Sequence, residues 1–271
     1  MSYVGEIFGL TGKTAVVTGG AGAIGTVMSD ALLRTGANVV VWSRTRESIE
    51  GFLDRYHESP ELQGRVFGLQ LDTGDESAVA KAFDQSASPF SIPEILINGV
   101  GGNKGKTAFV DLDLARFKDI LEMNLAAGLV APTKVFCRQW IEQGIKGSII
   151  NLTSMTSYNP LSGVWAYDAA KAATLNLTMA TANEFGPYGI RVNAIAPGFF
   201  IGKQNRALLI DEHTGEYTDR GRSVLGHTPF NRFGEVGELA GATVFLASSR
   251  ASGFVTGVSI PVDGGYLVHN I

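Results

Sequence analysis

Apolar residues in this chain gather in short runs separated by longer stretches of mixed character. The runs are Thr14-Ala-Val-Val-Thr18, Asn38-Val-Val-Val-Trp42, Arg65-Val-Phe-Gly-Leu-Gln-Leu71, Glu94-Ile-Leu-Ile97, Gly147-Ser-Ile-Ile-Asn-Leu-Thr153, Ile190-Arg-Val-Asn-Ala-Ile195 and Val258-Ser-Ile-Pro-Val262. Each is strand-length and bounded by turn residues, the pattern of strands covered on both faces. Between them lie segments with helical character: Ile24–Arg34, Glu76–Ser86, Leu114–Gln143, Ala166–Leu177, Lys203–Leu209 and Gly237–Ala247. The longest is expected to bend at Pro132. Regular alternation of this kind predicts one α/β domain over residues 1–271, doubly wound, with a mostly parallel seven-stranded sheet and helices on both faces. Residues 199–235 are more polar and less regular, and read as an insertion serving the substrate. No linker, repeat or low-complexity tract interrupts the pattern.

Composition narrows the possibilities. With 271 residues, 45% of them hydrophobic, the chain can bury a large core. Thirty-four glycines against nine prolines point to tight turns and not to disorder. A formal net charge of −4 leaves no electrostatic footprint for nucleic acid. The single cysteine, Cys137, excludes an internal disulfide and fits a reducing compartment. The N-terminal stretch lacks a basic region followed by a long apolar one, and no apolar run approaches the roughly 20 residues of a membrane span. A cytoplasmic protein without membrane attachment is expected. His57, His213, His227 and His269 are scattered and show no ligand spacing with Cys137, so no metal is expected.

Two local patterns carry chemistry. The first follows the first strand at once: Thr18, Gly19, Gly20, Gly22, Ala23, Ile24 and Gly25, then a helix and a second strand. Gly20-x-Gly22-x-x-Gly25 in that βαβ context is the dinucleotide fingerprint of a Rossmann fold. Glycines let the backbone approach a pyrophosphate, which the free N–H groups of the helix N-terminus stabilise. The second pattern is Tyr167 and Lys171, four residues apart on one helical face, with Ser154 at the end of a buried strand. Ligands of α/β sheets sit at such strand ends. A free phenol has a pKa of about 10, and a neighbouring ammonium favours its anion, so Lys171 is expected to draw Tyr167 toward the range of proton exchange.

Taken together the chain resembles the short-chain dehydrogenase/reductase family along essentially its whole length. The resemblance is carried by Thr18-Gly-Gly-Ala-Gly-Ala-Ile-Gly25, Asp72, Asn98-Gly-Val-Gly101, Asn124, Ser154, Tyr167-Asp-Ala-Ala-Lys171, Pro197-Gly198 and Val262-Asp-Gly-Gly265. It implies an NAD(P)-dependent oxidoreductase acting on CH–OH groups. Tyr167 would be the acid/base and Ser154 would hold the substrate carbonyl. Lys171 would lower the tyrosine pKa and bind the nicotinamide ribose, and Asn124 would anchor a water joining the lysine to solvent. Asp72, with Thr73, would contact the adenine, and Asn98 would steady the central sheet; Gly99, Pro197 and Gly198 fall on the cofactor side. A homotetramer is implied as well. Three positions depart from the family pattern: Ala23 replaces a glycine, Asn98-Gly99-Val100-Gly101 replaces Asn-Asn-Ala-Gly, and Gly202 stands where a cofactor-binding threonine is common.

Ser43 occupies the position after the second strand where NAD-preferring enzymes carry an acid, and Arg44 follows it. Hydroxyl and guanidinium can both donate to a 2′-phosphate, so NADP is the expected cofactor, with NAD also possible. The loops 101–107, 197–209 and 227–234 are similar to those of the sugar-acid branch, most of all the D-mannonate oxidoreductase (fructuronate reductase) group. An acidic sugar is therefore the expected small-molecule substrate, with Lys104, Gln204, Asn205 and Arg206 as candidate contacts and Arg206 the first choice for a carboxylate. Gluconate 5-dehydrogenase-like and 3-oxoacyl-thioester reductase activities are alternatives within the family. A non-catalytic dinucleotide sensor is the rival from another class, and the paired Tyr167 and Lys171 argue against it, since a sensor needs no proton-transfer set.

Overall fold

In the computed structural model, which describes residues 2–202, 206–211 and 214–270, each expected apolar run is a strand. They are β1 (Thr14–Thr18), β2 (Asn38–Ser43), β3 (Val66–Gln70), β4 (Ile95–Asn98), β5 (Ser148–Leu152), β6 (Arg191–Pro197) and β7 (Ser259–Val262). The sheet runs β3-β2-β1-β4-β5-β6-β7, and all its pairings are parallel. The order reverses beside β1, which pairs β2 on one side and β4 on the other. That reversal opens a crevice at the strands' carboxyl ends, where such sheets take their ligands.

The connections are α1 (Tyr3–Phe8), α2 (Ala23–Arg34), α3 (Arg46–Leu53), α4 (Pro60–Gln63), α5 (Glu76–Ala87), α6 (Leu114–Leu121), α7 (Ala131–Gln143), α8 (Trp165–Phe185), α9 (Arg206–Leu209), α10 (Asp219–Gly226), α11 (Ala240–Ala247) and α12 (Ser249–Ser252). The period-two alternation of the strands sorts them into two layers. Ala15, Val17, Val39, Val41, Ile95, Ile97 and Ile150 pack with Met28 and Leu32 of α2 and Leu246 of α11. Their neighbours Val16, Val40, Leu96, Ile149 and Val192 face the other way, onto Phe83 of α5, Phe136 and Trp140 of α7 and Ala182 of α8. Each aliphatic side chain so buried contributes about 1.5–3 kcal/mol. Both indole N–H groups in the second layer are satisfied: Trp42 donates to Ser86 Oγ (3.0 Å) and Trp140 to the Pro93 carbonyl (2.7 Å).

Four features differ from the expectations. The bend assigned to Pro132 is a π-helical segment, Glu122–Val130, that ends just ahead of it. Proline lacks the N–H for an ordinary helical bond, and the wider turns accommodate the step while keeping α6 and α7 in one run. That run, Leu114–Gln143, has a mean hydropathy of 1.3 in its most apolar window and is by length and composition apolar enough to cross a membrane, contrary to the sequence reading. Within the fold 56% of that window is buried, which accounts for its apolar content as a core helix. Helices α1, α3, α4, α10 and α12 were not expected. The helix assigned to 203–209 is described over Arg206–Leu209; positions 203–205, with Gln204 and Asn205, lie outside the described residues.

Candidate active site

The carboxyl end of β5 delivers the first group. After Leu152 the chain turns into a short 3₁₀ segment, Met155–Ser157, whose N-cap is Ser154; its Oγ accepts from the Thr156 N–H at 3.2 Å. Ser157 Oγ then donates to the Lys171 carbonyl at 2.7 Å and fastens this turn to α8. Within α8, Tyr167 and Lys171 share a face as their spacing requires, with Lys171 Nζ 5.6 Å from the centre of the Tyr167 ring. The ammonium is buried and donates to the Leu152 carbonyl at 2.7 Å, so strand end and helix converge on one point.

The electrostatics here differ from the sequence reading. Burial pushes the Tyr167 phenol above its ordinary value; the Ser154 hydroxyl opposes this and the Asp168 carboxylate adds to it. Lys171 is not what sets the direction, for burial pushes its own pKa down to about 8. Desolvation outweighs ion–phenol attraction because both groups sit in the same low-dielectric pocket. At neutral pH Tyr167 therefore carries its proton. Asp168, which the sequence reading missed, follows it in α8 and is buried, and that burial raises its pKa to about 6 against the opposing pull of the Leu161 backbone and the Thr156 hydroxyl.

Asn124 lies in the π-helical segment, where wide turns are frequent at functional sites. Its amide donates to the carbonyls of Ile120 (2.9 Å) and Gly102 (2.8 Å), and its oxygen accepts from the Gly102 N–H at 2.9 Å. Both N–H groups are thus spent on backbone, and the side chain acts as a strut for the loop after β4. Gly101 fits against that strut: a Cβ there would stand 2.6 Å from Asn124 Oδ1 and 3.4 Å from Lys171 Nζ.

Around the sheet reversal, the other predicted residues line the strand ends. Thr18 Oγ1 accepts from the Gly99 N–H at 3.1 Å and ties the exits of β1 and β4 together. Gly20 packs so closely that a Cβ would meet Val41 Cγ1 at 2.7 Å and the Val17 oxygen at 2.8 Å; with Gly19 and Gly25 it makes the turn into α2 as tight as a chain allows. Gly22 is the N-cap of α2 and supplies no side-chain cap, which leaves the first N–H groups of that helix unbonded by side chains. Ala23 is exposed and its methyl meets no obstruction, while Ile24 is half-buried. Asn98 is buried and donates to Thr133 Oγ1 (3.0 Å) and Asn151 Oδ1 (2.8 Å), linking β4 to α7 and β5.

Ser43 ends β2 half-buried, and exposed Arg44 follows with its carbonyl held by Gln70 Nε2 at 3.0 Å. Exposed Asp72 accepts from the Gly74 N–H at 2.9 Å beside buried Thr73. Pro197 closes β6, and the Gly198 N–H donates to the Val262 carbonyl at 2.9 Å. Lys104 is exposed in the loop after β4, and Arg206 is exposed in α9.

These features fit a dinucleotide. The uncapped N-terminus of α2 suits a pyrophosphate, and Lys171 has one of its three N–H donors engaged by protein, leaving two to face ribose hydroxyls.

Comparison with known proteins agrees. The sequence profile of the family described as Enoyl-(Acyl carrier protein) reductase matches residues 19–267. The gluconate 5-dehydrogenase of Gluconobacter oxydans is 34% identical, over 97% of this chain and 98% of its own. A crystal structure with bound NAD, of a Haemophilus influenza protein provisionally named a D-mannonate oxidoreductase, is 33% identical over 99% of both chains, with a TM-score of 0.89. The gluconate 5-dehydrogenase of Burkholderia cenocepacia J2315, in complex with NADP and tartrate, is 29% identical over 99% of this chain and 100% of its own, with a TM-score of 0.87.

Proposed function

We propose that this chain, which belongs to the short-chain dehydrogenase/reductase family, interconverts a secondary alcohol and a ketone on a six-carbon sugar acid, with D-mannonate and D-fructuronate the first pair to test. The observation that carries the chemistry is the convergence of Ser154, Tyr167 and Lys171 where β5 meets α8. The substrate class is supported by the sugar-acid dehydrogenases among its relatives.

The bound dinucleotide supplies or accepts the hydride. Ser154 Oγ donates a hydrogen bond to the substrate oxygen as negative charge develops there. Tyr167, protonated at neutral pH, gives its proton to that oxygen in reduction; in oxidation its phenolate takes the proton from the alcohol. Lys171 holds ribose hydroxyls with its two remaining donors, and its positive charge favours the phenolate when that form is needed. Asn124 fixes the Gly101–Gly102 loop against Lys171. Thr18, Gly19, Gly20, Gly22, Ala23, Ile24 and Gly25 hold the pyrophosphate, with Asp72, Thr73, Asn98, Gly99, Pro197 and Gly198 completing the cofactor's surroundings. The family resemblance supports a homotetramer, the composition with its single cysteine supports a cytoplasmic protein, and the polar, irregular residues 199–235 are read as its substrate-side insertion.

A panel of D-fructuronate, 5-ketogluconate, a neutral ketohexose and an acetoacetyl thioester, assayed under the same conditions, tests the substrate. Best turnover is expected on one of the two acids. A higher kcat/KM for the neutral sugar or the thioester would remove the sugar-acid assignment and leave the oxidoreductase in place. Gluconate with 5-ketogluconate is the second reading, favoured by the relatives that are gluconate 5-dehydrogenases.

Solved relatives hold NAD in one case and NADP in others, so the preference of this chain rests on its own residues. Ser43 and Arg44 meet a 2′-phosphate with a hydroxyl and a guanidinium and no acid, and NADP is the preferred cofactor on this reading. A charge-assisted hydrogen bond is worth about 1.5–3 kcal/mol. Arg44→Ala should then raise KM for NADPH by about 10–100-fold while KM for NADH moves little. Equal kcat/KM for the two cofactors in the parent enzyme would overturn the preference.

A further inference from the structure

At the end of the sheet opposite the catalytic residues, the heads of the strands border a cavity of about 250 Å³. Four adjacent strands each bring a charged residue to it. Lys13 precedes β1, Glu94 precedes β4, Lys146 stands two residues ahead of β5, and Arg191 is the first residue of β6. Another wall is formed by α1 and α12, which add Glu6 and Arg250. These two short helices are tied together, for Ser248 Oγ, the cap of α12, donates to the Ile7 carbonyl at 2.6 Å. Segments from near both ends of the chain therefore close over the strand heads.

Charge does not balance around this cavity. Both of its acids are taken, Glu94 by Lys13 at 2.5 Å and Glu6 by Arg250 at 3.3 Å. Lys146 and Arg191 make no ion pair among the described residues. The backbone sets these two cations side by side. The Arg191 N–H donates to the Gly147 carbonyl at 3.0 Å, and the Lys146 stem lies on Gly189, where a Cβ would stand 3.0 Å from Lys146 Cγ. Arg191 is only 8% exposed. Its Nη1 donates to Ser252 Oγ and its Nη2 to the Leu246 carbonyl, each at 2.9 Å and each a neutral acceptor. A guanidinium has five N–H donors, so three are left without a partner among the described residues. Burial lowers the Arg191 pKa to about 10, which still leaves it charged at neutral pH. A buried charge without a counter-ion is costly, and an anion in the cavity removes that cost.

We propose that this cavity is a second ligand site, in which Arg191 and Lys146 bind the dianion of inorganic phosphate or of a small phosphate monoester. Two uncompensated cations match two negative charges. The spare guanidinium donors suit the oxygens of a phosphate, and Lys146 supplies a point charge beside them. The volume lies below the roughly 300–1,000 Å³ of sites for drug-sized ligands, so the occupant is small. Bound there, the anion joins the heads of β5 and β6 and stabilises the folded chain. It does so at the far end of the sheet from Tyr167, without entering the hydride chemistry.

Equilibrium dialysis of radiolabelled inorganic phosphate against the full chain tests this, at about pH 8 where phosphate is a dianion. NADP is kept saturating, so that the positions of its own phosphates are filled. One phosphate per chain is expected, displaced by sulfate or a sugar monophosphate and not by chloride at equal ionic strength. Stronger displacement by the sugar monophosphate than by unlabelled phosphate identifies the ester as the occupant, and the reverse identifies the free ion. Lys146→Met and Arg191→Lys should each weaken binding by about 10–100-fold. The rise in melting temperature that phosphate gives the parent should shrink in step. Lys146 is exposed, so Lys146→Met should fold and keep the parent's turnover, and it carries the test alone if Arg191→Lys does not fold. No saturable binding by the parent, unchanged affinity in Lys146→Met, or equal displacement by chloride overturns the site.

Discussion

Tyr167→Phe should fold, bind the dinucleotide and lose about four orders of magnitude in kcat. Proton transfer by a positioned side chain is worth about 10²–10⁴-fold, and a hydrogen bond to the developing oxyanion about 10²–10³-fold. The phenol supplies both, and the two overlap, so their product is an upper limit. Phenylalanine keeps the ring beside Lys171 and removes one oxygen whose ionisation burial already disfavours. Melting temperature and cofactor affinity should therefore stay close to those of the parent. Because the phenol's pKa is raised, the parent enzyme should oxidise alcohols faster as pH rises above neutrality, while reduction proceeds with the protonated form already present. Kinetics in both directions from pH 6 to 10 check both statements. A kcat for Tyr167→Phe within tenfold of the parent would mean that another group moves the proton.

How much of this could be read from the chain depended on whether the cause was local. The strands were legible because both faces are covered: β1, β2, β4 and β5 are continuous apolar runs, and their observed ends fall within one residue of the expected ones. The glycine turn and the Tyr167–Lys171 pair were legible for the same reason, since turn geometry and helical spacing place their atoms without help from distant residues. Helices α3 and α10 were not. Arg46–Leu53 is mostly polar and gains order from Ile49 and Phe52 packing inward. Asp219–Gly226 buries Val224 and Leu225 only because Leu209 and Phe233 are there to receive them. The site follows the same division. Spacing placed Lys171 beside Tyr167, but the Leu152 carbonyl that holds its ammonium comes from another element, and so does the desolvation that sets its pKa.

Lys171→Met should give an enzyme that is nearly inactive and, at neutral pH, more stable than its parent. The loss follows from position: the ammonium is the buried cation beside Tyr167, and its removal takes away the charge that favours the phenolate and two donors for the ribose. A fall in kcat of about 10²-fold or more is expected, with cofactor Kd weaker by about tenfold for the lost hydrogen bonds. The gain follows from burial. Folding lowers the lysine pKa from 10.5 to about 8, so the unfolded chain holds this proton more tightly than the folded one. Below about pH 8 the side chain is charged in both states and its desolvation opposes folding by roughly 3 kcal/mol. That cost fades as pH climbs from about 8 to 10.5 and is gone above it. Methionine fills the space without a charge but leaves the Leu152 carbonyl unbonded, which costs about 1–3 kcal/mol. At pH 7 the desolvation cost is the larger, and Lys171→Met should melt about 2–6 °C higher. Near pH 10.5 only the lost hydrogen bond remains, and the order of the two melting temperatures should reverse. Thermal unfolding of both proteins at half-unit steps from pH 6.5 to 10.5 measures the difference directly. A gap that does not change across that range would show that Lys171 is not desolvated in the fold, and an active Lys171→Met enzyme would remove it from the catalytic set.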